Sequence, residues 1–293
     1  MSIKKIITGG CSFSDRHSES TWVYQIQEAY PNIQFRHTGM SSQGNELIQK
    51  KISLALMEEL EHYRADELAV IPMWSGTERR AFWIDDPDYV DEISKEWPKR
   101  GLSWSLQFGS LYSDSENYKL VNTTQSRSTA YNPDGGWYHC NYLMPDSKLT
   151  DELFRSCNTI ISYATVSLEN IIFLQNLCKL KGVKIFHTFY RSYVYDDIYQ
   201  NKNHLNLNYL FNQLDHDIII STDGIYEYLR PTLEEHQQWD FGGIFKHIYK
   251  MGFYTDETKQ YFESDNWHPN AKGSNKWTHE ILIPKLIEKG LFK

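Results

Sequence analysis

The alternation of apolar and polar positions divides the chain into a strand–helix succession at its two ends and an irregular, aromatic middle. Lys4–Thr8 (KKIIT) has the length and β-branched content of a buried strand. It stops at Gly9-Gly10, where backbone can turn sharply or approach a ligand closely. From Trp22 to Tyr30 apolar residues return at helical spacing (Trp22, Val23, Ile26, Ala29, Tyr30), and Pro31 ends the segment. Ile33–His37 resumes an extended pattern. Between Asn45 and Tyr63, Leu47, Ile48, Ile52, Leu54, Ala55, Leu56 and Leu60 recur with a period of about 3.6, which predicts an amphipathic helix. Glu67–Trp74 (ELAVIPMW) predicts a third strand, in which Pro72 weakens the ladder near its end.

Residues 80–150 break this alternation. They are rich in Trp, Tyr, Asp, Ser and Gly, with turn clusters such as Asn132-Pro133-Asp134-Gly135-Gly136, and read as an insertion rather than a core layer. A long helix is predicted from Asp151 to Lys181 with Gly182 as its cap, followed by a fourth strand at Val183–Phe189. A second aromatic, polar insertion covers about 191–262 and contains one strand-like run, Asp217–Ser221, the candidate fifth strand. A helix from Pro269 through Ile287 ends the sequence. Strands alternating with helices predict one α/β domain over 1–293: a parallel sheet of about five strands with helices on both faces, whose ligands bind beyond the carboxyl ends of the strands.

Composition narrows the function. Charged residues at 23% and apolar residues at 40% are ordinary for a folded globular chain. A formal net charge of -8 without a Lys/Arg-dense stripe argues against a nucleic-acid partner. The opening MSIKKIITGG has too brief an apolar run for a signal peptide, and no segment approaches the length of a membrane span, so cytoplasmic synthesis without a membrane partner is expected. Cysteines 11, 140, 157 and 178 lie far apart without CxxC spacing, which suggests neither a disulfide framework nor a zinc knuckle. No His-Glu-x-x-His pair occurs, and Asp85, Asp86, Asp88 and Asp91 lack the glycine and distal Glu of a calcium loop. No metal and no cofactor is expected, and the oligomeric state is left open.

Two motifs carry candidate chemistry. The first, Gly9-Gly10-Cys11-Ser12-Phe13-Ser14-Asp15, follows strand one directly, where a parallel sheet presents side chains to its crevice. Ser12 there can be a nucleophile or simply a turn or helix-cap residue. Cys11 is a rival nucleophile, although no basic residue adjoins it and free cysteines are commonly small core residues. The second motif, Asp265-Asn266-Trp267-His268-Pro269-Asn270, stands just before the last helix. A turn can bring the Asp265 carboxylate onto His268, leaving its other ring nitrogen to take a proton from a serine; alternatively Asp265 caps the helix and Asn270 begins it. The aromatics of the first insertion (Trp83, Trp97, Trp104, Trp137, Tyr112, Tyr131, Tyr138) suit either a sugar-stacking platform or a packed second layer, with packing the simpler account.

Gly-x-Ser after the first strand together with Asp-x-x-His-Pro near the C-terminus resembles the SGNH, or GDSL-like, hydrolases, and the Gly-Cys-Ser-Phe form is similar to divergent bacterial and phage members. The resemblance implies a flavodoxin-like three-layer sandwich with Ser12 as nucleophile, His268 as base and Asp265 as acid. Gly39–Asn45 resembles the family's second block, whose glycine donates to the oxyanion; Ser42 or Gly44 is its equivalent, and Gly44 is preferred. The third block is expected to read Gly-x-Asn-Asp, but Trp74-Ser75-Gly76-Thr77-Glu78-Arg79-Arg80 has no asparagine, leaving Asn45, Ser75 or Arg79 as substitute contacts. The implied activity is hydrolysis of a small acyl ester, with O-acetyl groups on a carbohydrate the first substrate class to test. Alternatives are acyl transfer to a glycan, or an idle structural or glycan-binding protein, associated with a virion if phage-encoded.

Overall fold

The computed structural model describes residues 3–15, 20–40, 43–77, 79–84, 105–108, 120–122, 136–141, 160–222, 224, 260 and 268–292. In chain order its strands are β1 (Lys5–Gly9), β2 (Gln34–His37), β3 (Leu68–Trp74), β4 (Arg79–Ile84), β5 (Ser105–Phe108), β6 (Leu120–Asn122), β7 (Gly136–Asn141), β8 (Lys184–Ile185) and β9 (Thr188–Phe189). The helices are α1 (Trp22–Ala29), α2 (Asn45–Glu59), α3 (Ile160–Lys181), α4 (Ser192–Gln200), α5 (Leu205–Phe211), α6 (Ala271–Trp277) and α7 (Ile283–Glu288).

β1 lies between β2 and β3 and is parallel to both, with Ile6 opposite Phe35 on one side and Ala69 on the other. β3 pairs in turn with β8 and β9, again in parallel. All seven residues of β3 are buried, and neighbouring Ile6 and Ile7 of β1 are both fully buried, so both faces of the sheet are covered. On one side α2 packs against β1, β3 and α3; α1 packs against α6, where the Trp22 and Trp277 rings meet edge to face at 6.1 Å. The order β2-β1-β3-(β8, β9) is the doubly wound, flavodoxin-like one, which reverses direction between β1 and β3.

The predicted fourth strand is divided, and Pro72 accounts for the division. Phe186 N–H reaches the Val70 carbonyl at 3.0 Å and Tyr190 N–H reaches the Trp74 carbonyl at 3.2 Å. Pro72, between them, has no N–H to give, and its carbonyl is met by the Thr188 hydroxyl at 3.1 Å. β8 and β9 are the two pieces. The predicted fifth strand shrinks further, to a single parallel bridge between His187 and Ile219. Its first residues turn instead, because the Asp215 carboxylate captures the Asp217 N–H at 3.0 Å and starts a 3-10 turn at His216–Ile218.

The stretch after Tyr190, read as an insertion, opens with two helices that belong to the main core: Val194 and Ile198 of α4 and Leu207 of α5 are fully buried against the same apolar cluster as β1 and β3. Four short strands from the first insertion form a separate antiparallel sheet in the order β4-β7-β5-β6. The predicted last helix is interrupted at Thr278–Leu282 by a π-helical turn before α7, where Pro284 cannot donate into the ladder. Among the described residues no helix is long and apolar enough to cross a membrane.

His187, just ahead of β9, is fully buried. Its Nδ1 accepts from Trp74 Nε1 at 3.0 Å, and burial lowers its pKa from 6.5 to about 3. Between those values the unfolded chain binds a proton that the folded chain refuses. The contribution of neutral His187 is therefore complete above pH 6.5 and declines as pH falls toward 3, with a limiting slope of about 1.4 kcal/mol per pH unit. His187→Gln keeps an acceptor for Trp74 and removes the titration. Urea midpoints measured at pH 7 and pH 5 will lie closer together in this variant than in the parent; an unchanged separation would contradict the assignment.

Candidate active site

The turn after β1 sorts its side chains by crowding. An added Cβ on Gly10 would stand 2.5 Å from Ser14 Oγ and 2.9 Å from the Met73 carbonyl, so only glycine fits. Cys11 is fully buried in the apolar core, which disposes of it as a surface nucleophile. Ser12–Ser14 form one 3-10 turn, closed by Ser14 N–H on the Cys11 carbonyl at 2.8 Å. Ser14 points inward, where its Oγ accepts from Trp22 Nε1 at 2.7 Å. Ser12 alone of Cys11–Ser14 is not buried, and it stands at the carboxyl end of β1 beside the reversal point of the sheet.

His268 reaches the same place from 256 residues away, with its Nε2 2.8 Å from Ser12 Oγ. The hydroxyl can donate to that nitrogen when the ring proton is on Nδ1. The Phe13 ring lies 5.3 Å from the imidazole and meets Tyr190 edge-on at 5.0 Å. Pro269 is buried, and Asn270 caps α6 by accepting the Gly273 N–H at 3.0 Å, so the cap falls to Asn270. Asp265 and Ser42 lie outside the described residues.

The loop after β2 is pressed onto the serine turn. Met40 N–H donates to the Gly10 carbonyl at 3.1 Å, and a Cβ on Gly39 would fall 1.9 Å from the Ser14 carbonyl oxygen. The Gln43 amide, oriented to satisfy both neighbours, donates to the same Gly10 carbonyl at 3.2 Å and accepts from Lys51 Nζ at 2.6 Å. Gly44 follows as the N-cap of α2, with no side chain to cap the helix. Among the described residues no backbone carbonyl accepts from the N–H of Ser12 or of Gly44.

The substitute contacts are placed less favourably. Asn45 is buried with both Nδ2 protons spent, on the Ser75 carbonyl at 3.1 Å and on Ser167 Oγ at 3.0 Å, while its Oδ1 accepts the Ser75 N–H at 2.8 Å. Its side chain therefore has no proton left for an oxyanion. Ser75 is itself wholly buried, so its hydroxyl has no surface to offer a substrate. Arg79 is nearer the crevice: its guanidinium lies 5.3 Å from the centre of the Tyr190 ring, and its carbonyl faces Gly44. Burial pushes the carboxyl of neighbouring Glu46 up, against the opposing pull of its ion pair with Arg80. Among the described residues no three metal-ligating side chains gather.

The tertiary contributors that periodicity did not single out are Tyr190 and Ser167. The first was accessible in principle, since the residue after strand four must stand beside the end of strand three. Ser167 sits on a helix with no mark to distinguish it from its neighbours.

No protein-family model and no curated protein sequence matches the chain. Among solved structures, a lipolytic protein of the G-D-S-L family from Veillonella parvula aligns over 97% of both chains at 11% identity, with a TM-score of 0.38. Protein YxiM from Bacillus subtilis aligns over 99% of this chain and 58% of its own length at 10% identity, with a TM-score of 0.42.

Gly39→Ala tests the contact between the loops. A methyl group cannot coexist with the Ser14 carbonyl, so one loop must shift, at about 2 kcal/mol or more. The urea midpoint is expected to fall accordingly, and a midpoint equal to that of the parent would show that the loops are not in contact.

Proposed function

We propose that this protein is a serine esterase of the SGNH type. The observation that carries the reading is the 2.8 Å hydrogen bond between Ser12 and His268 at the carboxyl end of β1. A serine hydroxyl becomes a useful nucleophile only when a base removes its proton as it attacks, and a neutral imidazole in direct contact is suited to that task near neutral pH. In this mechanism His268 Nε2 takes the Ser12 proton, Oγ bonds to the acyl carbon, and a tetrahedral oxyanion forms. The intermediate collapses as the imidazolium returns the proton to the leaving alcohol. Water, deprotonated by the same nitrogen, then releases the acid and regenerates Ser12. Asp265 is the proposed partner that holds the His268 tautomer and balances its charge in the transition state.

The oxyanion falls to backbone donors in this proposal, the N–H groups of Ser12 and Gly44. Such donors stabilise the developing charge because they are held in place before it appears. Small acyl esters are the proposed substrates, with acetylated carbohydrates first among them. Phe13 and Tyr190 supply an apolar wall beside the imidazole, and Arg79 a cation at its rim.

A fluorophosphonate probe is expected to add once, at Ser12, and Ser12→Ala is expected to abolish the adduct. Hydrolysis of p-nitrophenyl acetate will fall by about 10³-fold or more in Ser12→Ala and in His268→Ala. An intact mass without adduct, or a Ser12→Ala variant as fast as the parent, leaves the chain as a hydrolase-like scaffold with a binding role and defeats the proposal.

A further inference from the structure

The Asn45 amide supports an inference that deepens the esterase reading and rests on it. Ser75 is the first residue beyond β3, and Asn45 is the first residue of α2. The Asn45 side chain pairs with both backbone groups of Ser75, accepting from its N–H at 2.8 Å and donating to its C=O at 3.1 Å, as a neighbouring strand would. Its remaining proton goes to Ser167 Oγ on α3 at 3.0 Å. All three bonds are buried, where hydrogen bonds are strong and unpaired groups costly. One amide thus joins the start of α2 to the residue that follows β3 and to α3.

The start of α2 has need of such an anchor. Its N-cap is glycine, so the side-chain bond that commonly holds the entry of a helix is absent there. Gly44 is also the residue whose N–H is proposed to face the oxyanion. A backbone donor cannot be re-aimed by changing a rotamer; its direction is set by whatever fixes the peptide plane on either side. On the preceding side Gln43 is tied to the Gly10 carbonyl, next to the serine turn. On the following side the tie is Asn45.

We propose that Asn45 is a positioning residue: its amide clamps the first turn of α2 to the end of β3, and so holds the Gly44 N–H in line with the oxyanion formed at Ser12. An asparagine that the third block lacks as a donor is supplied by the second block as a brace.

The test separates aim from folding. Asn45→Asp keeps the acceptor for Ser75 N–H and removes both donated bonds. Ser167→Ala, on α3, removes only one of them. Turnover of p-nitrophenyl acetate is measured per fluorophosphonate-titrated Ser12, so that misfolded molecules are not counted, and inhibition by phenylboronic acid reports affinity for a tetrahedral anion. In Asn45→Asp, kcat per titrated site is expected to fall about 10- to 100-fold and the boronate inhibition constant to rise by the same factor, while KM stays within about twofold. Ser167→Ala shifts both quantities in the same direction by a smaller factor. Retention of kcat and boronate affinity within about twofold of the parent in whichever of the two variants folds would overturn the positioning role, because a merely structural bond alters the number of active sites and not their quality. A parent that neither titrates with the fluorophosphonate nor binds the boronate instead removes the esterase reading, and this inference with it.

Discussion

Backbone meets backbone around the turn that carries Ser12, and the rest of the site depends on that contact. Met73 and Ser14 leave no room for a side chain at Gly10, and the Ser14 carbonyl leaves none at Gly39. The parallel register makes the crowding unavoidable. β1 pairs with β2 on one side and β3 on the other, so the loops that leave these strands emerge together at the same edge. A side chain in such a junction would force the loops apart, since a Cβ on Gly39 would already fall 1.9 Å from the Ser14 carbonyl oxygen. With glycine there, the second loop reaches the Gly10 carbonyl directly, through the Met40 N–H and the Gln43 amide.

That edge is also where a doubly wound sheet opens a crevice. Between β1 and β3 the chain proceeds in opposite directions across the sheet, so the helices that follow pass to different faces and leave a gap between them. His268 enters this gap from just ahead of α6, the helix that packs on α1 through Trp22 and Trp277. The Trp22 indole in turn donates to Ser14. One aromatic pair therefore links the position of α6 to the orientation of the serine turn, which gives a physical route by which residues 256 apart come to share a hydrogen bond.

Much of this was legible from periodicity and turn chemistry. β1, α1, β2, α2 and β3 form where apolar spacing predicts them, and the two motifs flanking the sheet place Ser12 and His268 together. Legibility ended where a local bond competes with a pattern. Asp217–Ser221 has the composition of a strand, but the Asp215 side chain diverts its first amide into a turn. Val183–Phe189 reads as one strand, and the effect of Pro72 appears not in its own strand but in the partner that needs its missing donor. Val194 and Ile198 were obscured by the tyrosines and aspartates around them, since α4 spends its other positions on polar and aromatic contacts. Asn45 is the instructive case among the site residues. Its neighbourhood to Gly44 was visible, but the direction of its amide, inward to Ser75 and Ser167, depends on elements 30 and 122 residues away.

That direction changes what kind of electrostatics the crevice can supply. A side-chain donor contributes through its own freedom to rotate, and loses entropy when it is fixed; a backbone donor has already been fixed by the fold and needs no reorganisation as charge develops. In the esterase reading, spending the Asn45 protons on the scaffold shifts the demand for donors onto peptide N–H groups, whose aim is a property of β1, α2 and β3 together. In the esterase reading, precision at the oxyanion then depends on burial at the junction rather than on any exposed polar group. The three Asn45 bonds are buried, as are Gly44 and the glutamine before it. Water competes poorly for bonds in such surroundings, so the junction resists loosening for the same reason that the core around Ile6, Val70 and Ile52 does.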